Sequence, residues 1–133
     1  MITSNNKMVQ LYVNQTAQAG VTPAAAAVKT VFPVAVVPNK GQQRIRVTLI
    51  VQIDSITTPV AQINPLVITV GAATKSFSIV ATALELNNRV ETFIYELNCI
   101  SDTTVKAELG LAPADDVDTT VTGLYLSVDS VDV

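Results

Sequence analysis

The densest group of chemically capable side chains in this 133-residue sequence is the acidic run Asp115-Asp116-Val117-Asp118. Clustered carboxylates offer the hard oxygen ligands that Ca²⁺ prefers. The segment lacks the glycine and the distal glutamate of an EF-hand loop, so it reads as a solvated acidic loop with no metal bound. A second group is the row Arg44, Arg46 and Thr48, three polar side chains at every second position. Such a row suits a polar partner, and it would also keep an edge strand from pairing with strangers. The acidic C-terminal third inclines the reading to the partner role. The candidate interface is therefore Arg44, Arg46 and Thr48 on one side and Asp115, Asp116 and Asp118 on the other.

Catalysis is not expected. The chain has no histidine, which removes the commonest general base, the commonest metal ligand and every Ser-His or Cys-His nucleophile pair. No glycine-rich phosphate loop and no CxxC pair occurs. Glu85, Glu91 and Glu96 are lone carboxylates that nothing in the sequence places across a cleft, as glycosidic hydrolysis would need. Cys99, the single cysteine, lies in the apolar run Phe93 to Ile100 and reads as a buried, inert thiol. No cofactor is expected.

Composition points to association. Charged residues make up 14% and apolar residues 49%, where ordinary soluble domains carry roughly 25% charged residues. So few charges cannot cover a solitary domain, and part of the surface is expected to be buried by partners. The alternative is a monomer whose surface is uncharged Thr, Ser, Asn and Gln. The net charge of −3 is unevenly distributed: residues 1–53 carry +5, residues 54–100 carry −2 and residues 101–133 carry −6. Five scattered positive charges do not make a nucleic-acid patch. The polar opening, Met1 to Lys7, shows no signal peptide, and no apolar run is long enough to span a bilayer as a helix.

The elements that must position these residues are strands. From Gln42 to Ile53, the side chains Ile45, Val47, Leu49, Val51 and Ile53 alternate with Arg44, Arg46, Thr48, Ile50 and Gln52, the period of a half-buried strand. Similar patterns place a short strand at Val9, Leu11 and Val13, a Val-rich strand over Val28 to Val37 in which Pro33 suggests an edge or a bend, and a hairpin across Gly71-Ala72-Ala73. Arg89 to Ile100 is apolar on both faces and reads as a central strand. Val105, Ala107, Leu109 and Leu111 alternate with Lys106 and Glu108, and Leu124, Leu126 and Val128 with Tyr125, Ser127 and Asp129. The one helical candidate, Thr22 to Ala27, is too short for more than a turn or two. About eight strands at this spacing predict an all-β, antiparallel β-sandwich, jelly-roll-like. Residues 1–27 are a candidate N-terminal arm and residues 28–133 the sandwich domain.

A histidine-free, tryptophan-free, low-charge sandwich rich in Val, Thr and Ala resembles the small bacteriophage virion proteins, including capsid decoration (cementing) proteins and minor capsid jelly rolls. The resemblance covers composition and architecture. It implies a homo-oligomer, a trimer before others, bound to further capsid or virion proteins, with no nucleic-acid or membrane partner, in a virion assembled in the host cytoplasm. A tail or fibre component would read alike. Two other classes stand beside it. One is a carbohydrate- or ligand-binding module, which calls for exposed aromatics where the chain offers Tyr12, Tyr95 and Tyr125. The other is a cell-surface adhesin or pilin subunit, which calls for a signal or anchor.

Overall fold

A computed structural model describes residues 8–22, 27–38, 43–55, 62–81, 89–99, 103–110 and 119–131. Eight strands follow in chain order: β1 (Met8–Asn14), β2 (Lys29–Val37), β3 (Gln43–Ser55), β4 (Gln62–Val70), β5 (Ala73–Ala81), β6 (Arg89–Cys99), β7 (Thr103–Leu109) and β8 (Thr119–Val131). They form two four-stranded sheets, β1-β8-β3-β6 and β2-β7-β4-β5.

The order follows from one folding rule. β1 pairs with β8, β2 with β7, β3 with β6 and β4 with β5, all antiparallel. The chain is thus one long hairpin whose tip is the turn at Gly71-Ala72. Rolling that hairpin up adds β8 to β3 and β7 to β4. The result is an eight-stranded jelly-roll sandwich, as the strand spacing predicts. Gly71 opens the tip turn at φ 59°, a left-handed backbone that glycine adopts without strain, placed where a two-residue hairpin loop needs it.

The core is aliphatic and drawn from both sheets. Ile45, Val47, Leu49, Val51 and Ile53 of β3 face Leu66 and Ile68 of β4 and Val105, Ala107 and Leu109 of β7, and all are buried. Each Val, Leu or Ile among them contributes about 1.5–3 kcal/mol when removed from water. Pro65 sits within β4, a central strand, without breaking it. It pairs with Ser78 on β5, but the β7 ladder starts one residue later at Leu66, and the Pro65 carbonyl accepts the Gly110 amide at 2.7 Å. A missing N–H costs little there.

Several expectations meet corrections. β6 is an edge strand, not a central one. Conversely, β3 lies between β8 and β6, so Arg44, Arg46 and Thr48 do not guard an edge. The strand around Val9, Leu11 and Val13 is bulged between Gln10 and Tyr12. The bulge turns Leu11 and Tyr12 to the core and leaves Val9 and Val13 exposed. Within the candidate arm 1–27, Met8–Asn14 is a strand of the first sheet, and Val21 bridges Val121. Pro23 to Ala26, most of the helical candidate, lies outside the described residues, as do residues 39–42 and 82–88.

Candidate functional site

The Arg44, Arg46 and Thr48 row lies on the outer face of the first sheet, because the odd-numbered β3 residues beside them fill the core. In register, Arg46 stands between Glu96 on β6 and Asp129 on β8. Arg46 Nε donates to Glu96 Oε1 at 2.5 Å, and Arg44 Nη2 donates to Glu96 Oε2 at 3.2 Å. One carboxylate thus bridges both guanidiniums. The Arg46 hydrogen bond, then the Arg44 one, holds the Glu96 carboxyl below the usual carboxylate range. On the other side Ser127 Oγ donates to Asp129 Oδ2 at 3.3 Å, within a largely buried pair.

This geometry bears on how the charge gradient closes. The basic residues of β3 meet Glu96 of their own chain, 50 and 52 positions away in sequence. Asp115, Asp116 and Asp118, the other half of the candidate interface, lie outside the described residues. Thr48 sits in a neutral row with Ser127 and Ile94. The Arg44–Glu96 relationship has no signal in the linear sequence, because it exists only once β3 and β6 are neighbours.

The open side between β5 and β6 is closed by rings. Phe77 and Phe93 lie 5.0 Å apart at 52°, and Lys75 Nζ stands 5.2 Å from the Phe77 centroid and 5.9 Å from that of Tyr95. These are favourable edge and cation contacts, and they occupy the aromatics rather than present them. Tyr12 also packs on the core. Tyr125 differs: it lies opposite Ile50 on the outer face and is partly exposed. Burial pushes the half-buried Cys99 thiol up, toward its neutral form.

Two shallow depressions mark the described surface, one at Val36, Gly71, Thr103 and Thr104, the other between Gln18, Thr30 and Pro33. Among the described residues, neither is lined by a charged side chain. Among the described residues no three carboxylates or thiols come together as a metal site would require, and no helix is long and apolar enough to cross a membrane.

The residues that sequence reasoning missed are apolar. Among the described residues, Val9 and Val13 on β1, Val34 and Val36 on β2, Val90 and Ile94 on β6, and Val28 just before β2 are the large apolar side chains left exposed. All belong to, or adjoin, three of the four edge strands.

No protein-family model matches the sequence, and a comparison with curated proteins gives no match. Among solved structures, the native structure of a family 35 carbohydrate-binding module from Clostridium thermocellum is similar, at 13% sequence identity and a TM-score of 0.45. The similarity covers 92% of this chain and 97% of that one.

Proposed function

We propose that this chain is a non-catalytic structural subunit of a larger particle, a virus shell before other kinds, and that it acts through subunit–subunit contacts. One observation carries the reading: the exposed apolar side chains gather on edge strands, with Val36 72% exposed, Val90 57% and Val34 56%. Single exposed apolar residues are ordinary, whereas rows of them on open sheet edges mark surfaces that other chains cover. The low charge content agrees with this. So does the eight-stranded roll, an architecture shared by capsid subunits and lectins. Its partners are copies of itself and other shell proteins. Negative-stain images of the purified protein should show discrete oligomers; a field with nothing larger than a single chain would sink the proposal.

A second reading, a carbohydrate-binding sandwich, is favoured by Tyr125. Its ring stands on the outer sheet face with Thr122 and Gln52 in the next row, an apolar surface beside hydrogen-bonding groups. Binding to a panel of immobilised glycans that Tyr125→Ala abolishes would carry this reading; no binding to any glycan would remove it.

A further inference from the structure

We propose that β6 is a self-pairing edge, where two copies of the chain join antiparallel about a twofold axis at Ile94 and merge their first sheets into one eight-stranded sheet. The contact rests on the assembly reading above and gives it a site and a symmetry.

The four edge strands are not equally protected. β2 carries Pro33 and two register shifts, and β1 carries a bulge. β5 carries Lys75 on the row that faces the other sheet, opposite Ile68 and with its ammonium over the Phe77 ring. Prolines, bulges and inward lysines are the devices that stop an edge from recruiting another strand. β6 has neither proline nor bulge: its 11 residues pair with β3 without a register shift, from Gln43–Cys99 to Ile53–Arg89. Its charges are compensated within the chain, Arg89 with Glu91 at 2.9 Å and Glu96 with Arg44 and Arg46. Its outward side chains include Val90 and Ile94, 57% and 45% exposed. A strand that reads in sequence as a central one pairs, among the described residues, on one side only.

The occupant is a second copy because β6 is complementary to itself. A twofold axis at Ile94, the middle of the 11 residues of β6, sets the pairs. Outward, Ile94 meets Ile94 of the second copy, Val90 meets Asn98 and Thr92 meets Glu96. Inward, Phe93 meets Tyr95 twice over, Glu91 meets Leu97 and Arg89 meets Cys99. Aromatic and aliphatic cross-strand pairs stabilise such a ladder, and no like charges stand directly opposite. The contact is isologous, so it closes at two chains.

Cysteine placement tests the register. In a Cys99→Ala background, Ile94→Cys puts two thiols opposite each other across the axis, within disulfide reach. Thr92→Cys puts its two copies four residues out of register, about 13 Å apart. The expected result under mild oxidation is a covalent dimer with Ile94→Cys and none with Thr92→Cys. Light scattering should show two chains for the wild type and one for Ile94→Lys, with circular dichroism spectra unchanged. Oligomers that survive Ile94→Lys, a threefold mass, or equal crosslinking at both sites would overturn the β6 contact and leave assembly standing. A wild type that stays monomeric would overturn both.

Discussion

Phe32 on β2 packs against Gly123 on β8 so closely that a Cβ at position 123 would stand 2.5 Å from the ring's Cε2. Gly123 lies opposite Val51, facing the core, where β8 changes register. The fully buried ring of Phe32 fills the space that the glycine leaves open. Gly123→Ala should therefore destabilise the fold by about 1–3 kcal/mol through overpacking, read from the urea midpoint. An unchanged midpoint would mean that Phe32 moves aside freely.

Leu49 and Thr48 are neighbours on β3 with opposite fates. Leu49 is fully buried at the centre of the sandwich, while Thr48 faces outward. Leu49→Ala should cost about 2–5 kcal/mol, and Thr48→Ala within about 0.5 kcal/mol. Similar losses from both would contradict the inward–outward assignment of β3.

Glu96 makes part of the stability depend on pH. Its folded carboxyl titrates below the ordinary value of 4.5 because Arg46 and Arg44 donate to it. The contribution is full above that ordinary value and is lost as pH falls through the lower folded one. Glu96→Gln should lower the melting temperature at pH 7, and the gap to the wild type should shrink on acidification below about 4. Added salt should narrow it as well. A gap that widens in acid would contradict the bridge.

The acidic run Asp115, Asp116 and Asp118 should not behave as a calcium site. Millimolar Ca²⁺ or EDTA is expected to leave the melting temperature unchanged, whereas a specific ligand at about a hundred times its dissociation constant adds about 2.7 kcal/mol. A clear rise with Ca²⁺ would make these carboxylates ligands.

Much of the fold was legible because alternation reports which face of a strand is dry. The β3 and β7 patterns and the Gly71-Ala72 turn follow from local residue types, and Pro33 signals an edge or a bend in β2. β8 was legible from Tyr125 onward, where Leu126 and Val128 point inward; Leu124 falls in the register shift, which no alternation encodes. β6 misled for a physical reason. Apolar residues on both faces signal cover on both faces, yet the pattern does not say whether that cover comes from the same chain. The Arg44 and Arg46 row was visible as a row, but its partner Glu96 depends on strand order, which periodicity leaves open.

Light scattering of the wild-type protein, measured from micromolar concentration upward and at both low and high salt, tests the central claim most directly. The proposed assembly predicts a defined oligomer, and an apolar contact of the proposed kind should persist in high salt. A single-chain mass at every concentration and salt would contradict the account.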